Sequence, residues 1–154
     1  MEIRQYRESD RDAVIALWVE CGLVVPWNDP ARDIERKLKV DPDLFLVAAG
    51  EQGIVATVMG GYEGHRGWIN YLAVSPSQRR KSLGRAIMAA VETRIKDKGC
   101  PKINLQIRTA NTDVAAFYKA IGYHRDDVVG MGKRLEKDDA WPPEPAKLAG
   151  VKQL

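Results

Sequence analysis

The chain has 154 residues, enough for one domain with a real core and too few for two. Its 24 basic and 21 acidic side chains leave a net charge of only +3, which argues against a dedicated nucleic-acid binder. A hydrophobic fraction of 45% is that of an ordinary globular chain, and two distant cysteines, Cys21 and Cys100, indicate no disulfide framework.

The N-terminus alternates charged and apolar residues and lacks a signal-peptide core, and the longest apolar run, Leu44 to Ala49, is far too short for a bilayer. A soluble cytoplasmic protein is expected. Glu2 to Tyr6 reads as a strand. Ser9-Asp10 opens a helix carrying Ala13, Val14, Leu17 and Trp18, which ends near Gly22. After a linker from Val24 to Asn28, Asp29 can cap a second helix with Pro30 in its first turn, which must stop before Asp41-Pro42. Leu44 to Ala49 and Ile54 to Tyr62 form a hairpin across Gly50 to Gly53, and a turn from Glu63 to Gly67 leads into a strand from Trp68 to Val74. Leu83, Ala86, Ile87, Ala90, Val91 and Ile95 make one face of a helix that Gly99 terminates. Lys102 to Ile107 alternates as a fifth strand, and Asn111 caps a helix ending at Gly122. Tyr123 to Asp127 and Val128 to Leu135 can pair as a terminal hairpin. The order is β-α-α-β-β-β-α-β-α-β-β, an α/β mixed sheet with helices on both faces, over residues 1–135. Residues 136–154, with a charge cluster at Lys137 to Asp139 and prolines at 142, 143 and 145, read as an appendix, disordered or draped on a neighbouring surface.

Chemistry concentrates where the strand ending at Val74 passes through Ser75-Pro76-Ser77-Gln78-Arg79-Arg80-Lys81-Ser82 into the helix beginning at Leu83. First-turn N–H groups of a helix have no internal acceptors and carry about half a positive charge, so they favour an anion. Arg79, Arg80, Lys81 and Arg85 add cations at the same place, and a pyrophosphate suits the site. Neither G-x-x-x-x-G-K-[ST] nor G-x-G-x-x-G is present. A basic turn before an ordinary surface helix is the bland alternative.

Arg79-x-x-Ser82-x-Gly84 resembles the R-x-x-G-x-G/A acetyl-CoA motif of the GCN5-related N-acetyltransferases (GNAT). Asn111-x-x-Val114-x-x-x-Tyr118-x-x-x-Gly122-Tyr123 resembles the N-x-x-A-x-x-x-Y-x-x-x-G-F segment of the same family, about thirty residues later, and the two together outweigh the reading of Tyr118 as a plain core aromatic. Trp27 to Pro30, Asp33 to Lys37, Val58 to Tyr62, Gly64 to Gly67 and Gly99 to Ile103 are further similar to the bacterial YpeA-type subgroup, in the branch around RimI. Arg80 and Ser82 stand where the family usually has glycine, so any positive-φ requirement there would be strained.

The resemblance implies the GNAT fold and acetyl transfer from acetyl-CoA to a primary amine in a ternary complex, without a metal. Leu72, Ala73 and Val74 would act through backbone groups on the pantetheine and acetyl carbonyl, and Arg79, Arg80, Lys81, Ser82, Leu83, Gly84 and Arg85 would hold the pyrophosphate. Tyr118 would protonate the departing thiolate. Asn111 would orient a water or a cofactor amide, or serve only as helix cap. The strand before the loop has no carboxylate, leaving Glu63 or His65 as the nearest base unless they are plain turn residues, with Tyr62 and Tyr71 able to relay protons through water. A lysine amine is only about 0.04% neutral at pH 7, a deficit of roughly 4.6 kcal/mol, against about 1–1.4 kcal/mol for an α-amine. The missing base therefore favours an acceptor already partly neutral, a small molecule or a protein N-terminus, in a site bounded by Trp27, Tyr62, Tyr71 and the terminal hairpin. A homodimer stays open. A catalytically silent acyl-CoA-binding regulator is the alternative from another class; an RNA-binding module would have the basic turn but no aromatic platform.

Overall fold

The computed structural model describes residues 1–138. After β1 (Glu2–Gln5), Asp10 accepts the Arg7 N–H at 2.8 Å and both guanidinium nitrogens of Arg4 at 2.8 and 3.0 Å, turning the chain into α1 (Arg11–Glu20). The second helix, α2 (Pro30–Lys37), starts as its sequence dictates, with Asp29 accepting from the Ala31 and Arg32 N–H groups and proline in the first turn. Then come β2 (Phe45–Gly50), β3 (Gly53–Tyr62), β4 (Gly67–Val74), α3 (Leu83–Asp97), β5 (Ile103–Asn104) and α4 (Thr112–Ala120).

The sheet runs β1-β2-β3-β4-β5, antiparallel except for the parallel pair β4–β5. Alternation along each strand divides the core in two. Leu46 and Ala48 of β2 face α3, meeting Ile87, Met88, Val91 and Ile95, while Phe45 and Val47 face α1 and α2, meeting Val14, Trp18 and Ile34. Helices therefore cover both faces, as the alternation of elements predicts. None of the described helices is long and apolar enough to cross a membrane.

Two expectations change. The fifth strand is only Ile103–Asn104 rather than Lys102 to Ile107, because β4 bulges at Tyr71 and the two chains part after Trp68 and Asn104. The terminal hairpin is absent: among the described residues no strand follows α4. Its apolar positions find no face to bury, Val128, Val129, Met131 and Leu135 being 78–92% exposed, and side chains hold the segment instead, through Lys102–Asp126 at 2.7 Å and Arg134–Asn28 at 3.0 Å. Past residue 135 the described chain runs on to residue 138 along α2. Glu136 pairs with Arg32 at 2.8 Å and Asp138 is buried against α2; the proline-containing stretch beyond lies outside the described residues.

Candidate active site

Only Gly67–Ile103 and Trp68–Asn104 join β4 to β5, so residues 69–74 of β4 line an open wedge. Thr57 pairs with Ala73 and Met59 with Asn70, which leaves Tyr71 and Leu72 together opposite Val58. This is a β-bulge, the device that re-aims backbone groups beside functional sites. Tyr71 sits at φ +52°, in the left-handed region that an aromatic residue occupies only when its surroundings impose it. The Val74 carbonyl at the end of the strand accepts Arg79 Nε at 3.2 Å and Cys21 Sγ at 3.4 Å, so of the three residues expected to act through their backbone, Val74 has its oxygen engaged.

Beyond Val74 a 3-10 turn at Pro76–Gln78 leads to α3. Arg80 and Ser82, the two positions where the sequence lacks glycine, have φ +64° and +60°. The turn thus takes a glycine-like path with side chains present, at a strain of about 1–2 kcal/mol per residue. Ser82 makes no side-chain cap; its carbonyl accepts the Ala86 N–H at 3.0 Å, and the N–H groups of Leu83, Gly84 and Arg85 belong to the open first turn. Arg80, Lys81 and Arg85 are exposed around it, whereas Arg79 is drawn back to Val74 and Cys21. Free backbone donors, a helix dipole and three exposed cations suit a pyrophosphate. Gly84 serves packing: a Cβ there would lie 3.2 Å from the Phe117 ring and 3.6 Å from Val74, so the start of α3, the end of β4 and α4 meet at this glycine.

That contact brings Tyr118 to the same corner. Its ring is buried, edge-on to Phe117 and Tyr123 at centroid distances of 5.2 and 5.5 Å. Burial pushes the phenol up to about 12. The Tyr118 hydroxyl makes no hydrogen bond to another described residue. Tyr123, by contrast, donates to Glu92 at 2.6 Å. Asn111 is a helix cap, its side chain accepting the Val114 N–H at 3.3 Å.

Glu63 and His65 fall elsewhere. Glu63 accepts the backbone N–H groups of His65, at 2.7 Å, and Arg66, which hold the carboxylate below its ordinary pKa. The turn precedes Gly67, four residues of strand, or about 13 Å, before the bulge. Tyr62 donates to the Gly64 carbonyl at 3.1 Å within that turn. Trp27 is 41% exposed beneath the Arg108 guanidinium at 5.7 Å, joining the α1–α2 loop to the chain beyond β5. Tyr71 is half-buried: its ring stacks on Trp18 at 3.9 Å and its hydroxyl donates to Asp33 at 2.6 Å. Burial and that carboxylate raise its pKa far above that of a free phenol, so it stays protonated. Sequence reasoning missed Trp18, Asp33, Thr57 and Arg108 as neighbours of the site, because each arrives from a separate element. Among the described residues no group of three or more His, Cys, Asp or Glu could hold a metal ion.

Residues 11–123 match the Acetyltransferase (GNAT) family. An acetyltransferase of Pectobacterium atrosepticum is 49% identical over 138 residues, covering 90% of this chain and 98% of that protein. The fold is similar to that of Ard1 from Thermoplasma volcanium, with TM-score 0.70 and 23% identity over 79% of this chain and 80% of that one. It is also similar to the aminoglycoside N-acetyltransferase AAC(6')-Iy solved in complex with CoA, with TM-score 0.72 and 18% identity over 87% and 94% of the two chains. Wedge, bulge, open helix terminus and family match agree, and the chain belongs to the GNAT family of acetyltransferases.

Proposed function

We propose that this acetyltransferase uses acetyl-CoA and transfers the acetyl group directly to a primary amine, as a member of the YpeA-type subgroup. One observation carries the reading: the open edge of β4, with its bulge at Tyr71 and Leu72, runs straight into the unsatisfied N-terminus of α3, and α4 sets Tyr118 against the same corner. When acetyl-CoA is bound, its thioester offers a carbonyl carbon to the amine nitrogen, and the C–S bond breaks to leave a thiolate. The first-turn N–H groups of Leu83, Gly84 and Arg85, with Arg80, Lys81 and Ser82, hold the pyrophosphate. Leu72 and Ala73 present backbone groups along the wedge. Tyr118 gives its proton to the thiolate, and the proton that the nitrogen sheds as the amide forms returns to the phenolate through water.

Glu63 and His65 lie at the far end of β4, and the carboxylate nearest the bulge, Asp33, is already engaged by the Tyr71 hydroxyl at 2.6 Å and by Arg36, so no free base faces the amine among the described residues. The acceptor is accordingly an amine that is already partly neutral near pH 8, such as an α-amine, which needs about 3.5 kcal/mol less deprotonation free energy than lysine. A panel of α-amino, ε-amino and aminoglycoside acceptors, read by thiol release from acetyl-CoA, tests this. Turnover confined to α-amines is the expected result. Coenzyme A binding without turnover on any amine would favour the silent acyl-CoA-binding regulator; no coenzyme A binding at all would remove the loop assignment.

A further inference from the structure

A relay of side chains, none of them in the assignments above except Tyr71, connects the end of the described chain to the β4 bulge. The Asp138 carboxylate is fully covered. It accepts the Asp29 N–H at 3.0 Å, and Arg36 grips both of its oxygens, at 2.5 and 3.2 Å. The same guanidinium reaches Asp33 Oδ1 at 3.1 Å, and Asp33 Oδ2 accepts the Tyr71 hydroxyl at 2.6 Å. From the other side, the Trp18 indole N–H donates to the Thr57 hydroxyl at 2.9 Å, and Thr57 donates to the Tyr71 carbonyl at 2.9 Å. Tyr71, strained at φ +52°, is therefore fixed at its carbonyl, its ring and its hydroxyl. Arg32, 3.8 Å from Asp138 and 2.8 Å from Glu136, completes a set of three carboxylates and two guanidiniums.

Such a conformation persists only where its surroundings over-determine it, and strain of this kind belongs to sites that must be pre-organised. We infer that Asp138 is a positioning residue for the transfer step: acting through Arg36 and Asp33 it fixes the Tyr71 hydroxyl, and with it the backbone of the β4 bulge. The inference rests on the acetyl-transfer reading for its kinetic consequence, while the relay itself has a readout that needs no activity.

The test is a double-mutant cycle of Asp138→Ala and Tyr71→Phe in the full chain. Asp138→Ala should lower kcat five- to tenfold and leave the KM for acetyl-CoA within twofold. In the Tyr71→Phe background, where the relay is already cut, it should change kcat less than twofold. An equal loss in both backgrounds, or none in either, overturns the proposal. Arg36→Lys, which keeps the charge and loses the two-pronged grip, runs the same cycle if Asp138→Ala fails to fold. In the ligand-free protein the Trp18 indole N–H resonance should shift on Asp138→Ala; an unmoved resonance also overturns the relay. A shifted resonance in a protein that acetylates no amine supports the relay and removes the acetyl-transfer reading instead.

Discussion

Tyr118 keeps its phenol proton across the whole working range, because burial moves its titration up to about 12. A loss of activity from its ionisation, which an ordinary phenol would bring near pH 10, is displaced upward by the same amount, so the rate should climb with pH as the amine deprotonates and not turn over near 10. Tyr118→Phe keeps the edge-on contacts with Phe117 and Tyr123, and the lost hydroxyl has no protein partner among the described residues, so stability should change by less than about 0.5 kcal/mol. Steady-state kinetics should then give a kcat about 10²–10⁴ lower with acetyl-CoA affinity within a few-fold. Full activity would return Tyr118 to the core. The two left-handed residues of the turn give a second test. Ser82→Gly relieves about 1–2 kcal/mol of strain and adds about 0.4–1 kcal/mol of unfolded-chain entropy, so denaturant melts should show a net gain of about 0.5–1 kcal/mol. A loss would mean that the serine hydroxyl makes a contact that outweighs the strain. Gly84, by contrast, is the wrong place to probe anion binding, since any side chain there meets Phe117.

Most elements were legible because each carries a local signal: the Asp29-Pro30 start of α2, the apolar stripe of α3, the glycines that end α3 and α4 at φ +96° and +103°. What failed were strands beyond Asn104. Alternation there is genuine, yet a strand needs a partner edge, and the bulge at Tyr71 removes it; no pattern in Lys102 to Ile107 records what β4 does. The turn and Tyr118 could be found from spacing alone. The Asp33–Tyr71 bond could not, since its ends are 38 positions apart and neither lies in a motif that demands the other. Between α3 and the sheet, packing is tight enough to measure. A Cβ on Gly60 would lie 2.7 Å from Val91 Cγ2 and 3.1 Å from Ile95 Cδ1. Gly60→Ala should destabilise by about 1–3 kcal/mol in urea melts, with α3 pushed from the sheet. An unchanged midpoint would show that α3 rides higher than described.

For the molecule as a whole, residues 136 and 138, just past the boundary at 135 drawn from composition, add contacts to α2. Ending the chain after Leu135 keeps the sheet and all four helices but removes Glu136 and Asp138 from α2. Differential scanning calorimetry should show a cooperative transition lowered by roughly 3–8 °C, the equivalent of about 1–2 kcal/mol. No change would mean that these contacts contribute nothing in solution; loss of the transition would make them part of the fold's foundation.

Two residue pairs are all that form the ladder of β5 on β4, whereas the ladder between β2 and β3 runs the full length of β2. The backbone ladder thus ties the chain after Asn104 to the sheet only lightly, and the side chains of Phe117, Tyr118 and Tyr123 against α3 carry most of that attachment, while the meander of β1 to β4 is held by continuous ladders. Native-state amide exchange should therefore be slowest in β2 and β3 and fastest in β5 and α4. A molecule lying in the wedge would touch both parts and close the gap between those rates, so that its largest effect on protection would fall on the half of the chain that holds Tyr118.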